Sequence, residues 1–312
     1  MNPVLVIPVF AGATAGTLLL GLLSKWIDRK VTARIQWRKG PPWYQPFADV
    51  LKLLGKETIV PEAAGMTGFL LAPLLGFAAV SVAATILWVA NFSPESGFVG
   101  DVIVVLYLLT VPSLALILGG SASGNPLASV GAGREMKLII SYELPMLLAV
   151  LSAIAGSTNS FNLGGLAIAE TNGLPATIGC VIGFIVILMC IQAKLGLVPF
   201  DIAEAGCEIA SGPYIEYSGA PLAIFYLTKA MLLAVMPMFA VTVFWGGFSC
   251  TNADGDVSIG NIAASIGKYV LILVVLTLLR NTNPRVRIDH AMRFFWFIMT
   301  PLAVTGLVLS MF

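Results

Sequence analysis

Apolar positions along the 312 residues neither alternate with the period of a half-buried strand nor keep to one helical stripe. They run on for about 18 to 25 residues, stop at a short polar segment, and resume. The runs lie near 3–23, 67–90, 102–120, 138–156, 176–196, 220–247, 259–280 and 293–311. A backbone inside lipid satisfies its own N–H and C=O groups only as helices or a closed barrel, and these runs are too long and too uniformly apolar for barrel strands. The pattern predicts an all-α polytopic membrane protein, a single integral membrane domain over 1–312 with about eight transmembrane helices. The first run lacks a basic segment before it and reads as a spanning helix, not a cleaved signal.

Charge sharpens this picture. Only 11% of residues are charged and 58% are hydrophobic, against about 25% charged in an ordinary soluble domain. The connecting segments sort by sign. Segments 24–66, 121–137 and 281–292 carry basic or mixed charge, whereas the intervening ones hold Glu95 and Asp101, then Glu170, then Asp254 and Asp256, without Lys or Arg. The two sets alternate as eight spans require. The excess of positive charge then assigns the basic set, together with the acidic segment 197–219, to the cytoplasm and both termini to the outside. A net charge of +1 points to no nucleic-acid partner. Cys180, Cys190, Cys207 and Cys250 form no C-x-x-C pair, so they offer no readable metal or cluster site, and any redox centre is expected on partner chains.

Several charges stand where lipid makes them costly. Lys229 lies about ten residues into the sixth run, roughly 15 Å deep; Glu143 lies about one and a half turns into the fourth, and Lys268 is shallow enough to snorkel outward. Between the fifth and sixth runs, PFDIAEAGCEIASGPYIEYSG (199–219) gathers Asp201, Glu204, Glu208 and Glu216. The first three have i, i+3, i+7 spacing and on a helix would share a face. Carboxylates crowded at low dielectric do not all ionise, which suits a proton relay. In the first basic segment, Arg34, Arg38, Lys39, Pro41, Pro42, Trp43, Tyr44 and Gln45 combine cations, rigid prolines and aromatics in the manner of a protein-docking surface, and FADVLKLL after them reads as an interfacial helix. The last basic segment sets Arg280, Arg285, Arg287 and Arg293 near Asp289 and His290, the one histidine; its arginines could pair with the acidic stretch, and Arg285 and Arg287 are expected to join the docking surface.

Four ordered segments carry a resemblance. They are R-x-G-P…Q-P-x-A-D-x-L-K-L-L…K-E at 38–57, G-x-G-R-E…S-Y-E at 131–143, P-F-D…E-A…E…E-Y-S-G at 199–219 and R…P-R-V-R-x-D…M-R…W at 280–296. Together they resemble the NuoH-type subunit of respiratory complex I over nearly the whole chain. The short GPPWYQPF connection and SASGNPLASVGAGRE are most similar to the branch found in energy-converting membrane-bound [NiFe] hydrogenases, the group of the Ech, Mbh and CO-induced hydrogenases and formate hydrogenlyase.

The resemblance implies a non-catalytic subunit of an oxidoreductase complex in a prokaryotic cell membrane. Such a subunit docks a hydrophilic arm and couples electron transfer to H⁺ or Na⁺ translocation. Its partners would be hydrogenase large and small subunits, a ferredoxin-like iron–sulfur subunit and antiporter-like membrane subunits. The [NiFe] centre and iron–sulfur clusters would sit on those partners, with no cofactor in this chain. Glu143, Asp201, Glu204, Glu208 and Glu216 match acidic positions linked to the cavity and proton entry, with Arg134 and Glu135 on the loop beside them. Gly206 departs from the family's E-A-E, and Lys194 and Lys229 replace residues that tend to be acidic, suggesting Lys–Glu pairs such as Lys229 with Glu143. A quinone-binding subunit of an NADH, ferredoxin or F420H2 dehydrogenase and a subunit of a sulfur-reducing complex are the alternatives within the superfamily. A self-sufficient transporter and a passive anchor are those outside it.

Overall fold

The structure, a computed structural model, describes residues 3–157, 161–169, 177–248 and 259–311. Among the described residues it is all-helical, 78% helix with no strands. Among them, seven helical segments are long and apolar enough to cross a membrane, and a further apolar helix, Ile178–Lys194, has 17 residues. The expected spans all appear, with altered bounds. The first helix, α1 (Pro3–Ile35), continues well past residue 23, so Arg34 is helical. The helix bearing the fourth span begins at Pro126 and ends at Gly156, so Arg134 and Lys137 lie on a helix where a loop was expected. Asn125 starts that helix by accepting a hydrogen bond from the Leu127 amide at 2.8 Å, with Pro126 following at a position that needs no N–H.

In chain order the remaining helices are α2 (Gln45–Leu54), α3 (Met66–Phe92), α4 (Asp101–Leu108), α5 (Val111–Ala122), α6 (Pro126–Gly156) and α7 (Leu163–Ala169). They are followed by α8 (Ile178–Lys194), α9 (Gly206–Ile209), α10 (Gly219–Phe244), α11 (Ile259–Thr282), α12 (Ile288–Phe294) and α13 (Thr300–Ser310). The third span is interrupted: α4 stops at Leu108 and α5 resumes at Val111, where Pro112 supplies no N–H to continue the ladder. A π-helical stretch, Phe295–Met299, joins α12 to α13. Glu170, Asp254, Asp256 and Cys250 lie outside the described residues.

The most enclosed span is α10, packed by α1, α3, α8 and α11. Where α1 crosses α10, Gly21 leaves no room for a side chain: a Cβ there would stand 2.5 Å from the Ala230 carbonyl oxygen. Backbone contact of this kind is how membrane helices pack without a hydrophobic driving force. The same crossing fixes Lys229, the neighbour of Ala230.

One end of the bundle collects the basic segments. At that end α1 terminates with Arg38 N–H bonded to the Ala33 carbonyl at 2.7 Å and Trp37 at φ 56°, a left-handed closure that usually takes glycine. The Trp37 side chain is 98% exposed. The amphipathic helix expected from FADVLKLL is α2, held to α1 and α10 through Asp49, which accepts from Arg29 at 2.8 Å and from the Tyr226 hydroxyl at 3.4 Å. Burial raises the Asp49 pKa, but the bond and charge of Arg29 more than offset it, and the carboxyl is held below its ordinary value.

Candidate functional site

The acidic segment between α8 and α10 folds over this same end, mostly without regular structure. Its three close acids therefore do not share one helix face, contrary to the expectation from their spacing: only Glu208 lies in a helix, the four-residue α9, while Asp201 and Glu204 precede it in an irregular turn. Each turns to a cation from a different helix or segment. Asp201 accepts from Arg285 at 2.8 Å, Glu208 from Arg134 at 2.6 Å, and Glu204 forms an ion pair with Lys229. The expected pairing of Lys229 with Glu143 is thus replaced by one with Glu204, which the irregular segment brings against α10. The suggested pairing between the last arginines and the acidic stretch is realised at Arg285. Among the described residues Glu216 pairs with no cation; its carboxylate accepts from the Asn125 side chain at 2.6 Å, tying the segment to the start of α6.

Three cavities lie along these pairs, each sharing lining residues with the next. The first, about 210 Å³, is bounded by Arg134, Asp201, Glu208 and Arg285. The middle one, about 270 Å³, is lined by Lys25, Asp28, Asp201, Glu204, Lys229 and Arg280. The third, about 40 Å³, is lined by Ser113, Glu135, Lys194, Glu204, Tyr214 and Lys229. Glu204 and Lys229, with Leu195 and Gly196, line both the middle and the third. Gly196, at φ 59°, passes beside Glu204; a Cβ there would lie 3.7 Å from its carboxylate and strain the backbone.

Electrostatics along this line are uneven. Burial raises the pKa of Asp201, and the charge of Glu204 adds to the effect against Arg285, Lys229 and Arg280. Burial, then the charges of Glu204 and Glu135, push the Tyr214 hydroxyl well above its usual range. Glu208 is 61% exposed in its side chain, so its pair with Arg134 is a surface contact worth little. Glu135 is buried on α6 and lines the same cavity as Ser113.

Asp28 gives little sign of itself in the sequence, where S-K-W-I-D-R-K reads as the basic end of the first run. It is 5% exposed and accepts from Arg280 at 2.5 Å. Its one sequence signal is a lone acid within a basic turn. Tyr214 is equally silent, since an aromatic in an irregular segment carries no periodic signal. Glu143 is half-buried on α6 and stands apart from the three ion pairs. Lys268 does not snorkel freely; it donates to the Trp245 carbonyl at 2.7 Å. Of the docking residues, Arg34, Arg38, Lys39, Pro42, Trp43 and Tyr44 are exposed, while Pro41 and Gln45 are half-buried. Arg287 and His290 are exposed at the start of α12.

A bundle of apolar helices with a line of partly buried paired charges at one end invites comparison with known membrane complexes. Residues 9–311 match the family described as NADH dehydrogenase. The chain belongs to this family, the NuoH-type subunits of complex I and related complexes. Curated relatives include the NuoH-type chain of the NADH-quinone oxidoreductase of Thermomicrobium roseum, 33% identical over 98% of this chain and 95% of that protein. Its counterpart in Rhodospirillum rubrum is 34% identical over 94% and 89%, and that of Dehalococcoides mccartyi strain CBDB1 is 32% identical over 93% and 82%. Among solved structures, a chain of the membrane-bound sulfane sulfur reductase, an archaeal respiratory membrane complex, superposes with a TM-score of 0.84 at 29% identity, covering 97% of this chain and 99% of that one. This NuoH-type chain is a multi-pass membrane subunit of a complex I-like respiratory assembly.

Proposed function

We propose that this subunit docks a hydrophilic redox arm at the basic end of the bundle and couples its electron transfer to H⁺ or Na⁺ movement through neighbouring membrane subunits. The observation that carries the reading is the run of three adjoining cavities along the paired charges, two of which share the Lys229–Glu204 pair in their lining. A passive anchor has no use for buried ionisable groups, whose insertion costs at least about 2.5 kcal/mol each. Docking is supported by Trp37, Trp43 and Tyr44, 98%, 60% and 55% exposed, set among Arg34, Arg38 and Lys39. The cytoplasm is the side this end faces under the positive-inside rule.

The arm we assign is that of an energy-converting [NiFe] hydrogenase, on the wording of GPPWYQPF and SASGNPLASVGAGRE. The likeness to the sulfane sulfur reductase chain favours a second reading, a sulfur-reducing arm on the same kind of membrane subunit. Purifying the native complex and identifying its large subunit distinguishes them: two Cys-x-x-Cys pairs for nickel support the hydrogenase, and their absence eliminates it. Coupling is tested in proteoliposomes of the whole complex with E204Q and E208Q. Loss of ion movement with electron transfer retained supports the reading, and wild-type ion movement in both refutes it.

A further inference from the structure

The end of the bundle opposite the basic segments is acidic. Segments 93–101, 157–177 and 245–258 hold Glu95, Asp101, Glu170, Asp254 and Asp256 and no Lys or Arg. Asp101, the first residue of α4, is 1% exposed, an unusual place for an acid. Its Oδ1 accepts from the Leu163 amide at 2.7 Å. Its Oδ2 is buried and meets no hydrogen-bond donor among the described residues, and Asp101 forms no ion pair among them. Lys268, towards the same end of α11, donates instead to the Trp245 carbonyl.

A second oxygen faces the same point. A Cβ on Gly97 would stand 3.0 Å from Asp101 Oδ2 and closer still to Asn162 Oδ1, so a carboxylate and an amide oxygen flank one side of Gly97. This glycine has φ −66° and ψ 158°, a conformation open to any residue. It supplies room, not backbone freedom. Asn162 is held in place because its Oδ1 accepts from the Gly164 amide at 2.9 Å. The two oxygens come from separate segments that meet again nearby: the Gly100 amide donates to the Phe161 carbonyl at 3.2 Å, and Gly164 packs on the Pro94 carbonyl with no space for a Cβ.

We propose that Asp101 and Asn162 bind a sodium ion beside Gly97, with water completing its shell, and that the ion clasps segment 94–101 to segment 161–164. A buried carboxylate without a counter-charge is costly, and acceptors turned to one point attract a cation. The single negative charge selects a monovalent ion, because a divalent one would leave an unbalanced positive charge in a buried place. Hard oxygen ligands exclude the softer metals and suit Na⁺, whose radius is close to that of Ca²⁺. The acid-rich segments around the site offer no lysine or arginine to take the ion's place. The clasp lies at the far end from the ion pairs of the acidic segment 197–219 and does not rest on the coupling reading above.

The test uses the intact purified complex at constant pH and ionic strength, with choline chloride replaced by NaCl or KCl. Amide hydrogen exchange is read on peptides spanning 94–101 and 161–169, because the Leu163 and Gly164 amides are bonded to the two proposed ligands. Protection should rise with sodium as 1 + [Na⁺]/Kd, and we expect exchange slowed at least about fivefold by NaCl and less than about twofold by KCl. D101N keeps an acceptor for Leu163 but removes the charge, N162A removes the second ligand, and G97A fills the space; each should abolish the sodium response. Equal exchange in NaCl and choline chloride overturns the proposal, as does an equal response to KCl or a wild-type sodium response in D101N. Exchange that ignores sodium and slows on acidification would place a proton on Asp101 and also overturn it. Should D101N fail to assemble, N162A and G97A decide, and a wild-type sodium response in both overturns the clasp. E204Q and E208Q should keep the sodium response, so failure of the coupling reading and failure of this one are separate results.

Discussion

Gly21→Ala tests the crossing on which the site is built. The added Cβ would lie 2.5 Å from the Ala230 carbonyl oxygen, 2.7 Å from its carbon and 3.0 Å from the Met231 nitrogen. All three are backbone atoms of a buried helix, so no rotamer change relieves the contact. Carbon–oxygen contacts settle at about 3.3 Å or more, and α1 and α10 would have to part by roughly 0.8 Å. A gap of that order forfeits a quarter to a half of the dispersion energy of the atoms along it, and overpacking of this kind typically costs about 1–3 kcal/mol. Because Lys25 sits 3.2 Å over the Tyr226 ring one turn along the same seam, separation should also loosen that contact and the wall of the middle cavity. Melting the purified complex by intrinsic fluorescence should show a fall of about 3 °C for a loss of about 2 kcal/mol in a chain of this size. A230G should not rescue it, since the obstructing atom is a carbonyl. An unchanged melting temperature, or rescue by A230G, would refute the backbone-contact argument.

Four further outcomes are expected. D49N should loosen α2 by about 1 kcal/mol, because Asp49 is a partly exposed partner of Arg29. Its lowered pKa contributes stability above the unfolded value that is lost as pH falls through the folded one, so protease nicking of α2 should rise in acid for wild type and depend less on pH in D49N. Asp201 has the opposite sign. Its raised pKa means the folded state binds the extra proton, so its contribution falls as pH rises above about 4, and D201N should flatten the melting temperature there. W37G removes a non-glycine residue from a left-handed closure and should stabilise the end of α1 by up to about 1 kcal/mol while weakening retention of the arm on purification. G206E should leave the melting temperature unchanged, since nothing lies within 4 Å of a Cβ at that position.

The helical spans were legible because twenty apolar residues in a row admit few folds in lipid. Their ends were not. α1 and α6 run on through Arg34 and Arg134 because a helix is indifferent to whether its outer turns are wet, and hydropathy marks the lipid boundary instead of the helical one. The acids were legible as a cluster, but their arrangement was not. The i, i+3, i+7 spacing of Asp201, Glu204 and Glu208 presumes a helix, and the segment bends so that each acid meets its own cation. Those cations come from residues 134, 229 and 285, separations that no local periodicity encodes. Asp28 was hidden for the same reason: its partner, Arg280, lies 252 residues away.

That last separation bears on how the chain is made. Asp28 lies on α1, and the guanidinium that it meets arrives only with α11, 252 residues later. During synthesis this carboxylate is therefore made long before its cation, so the contact that joins α1 to α11 closes only after the intervening helices have been made.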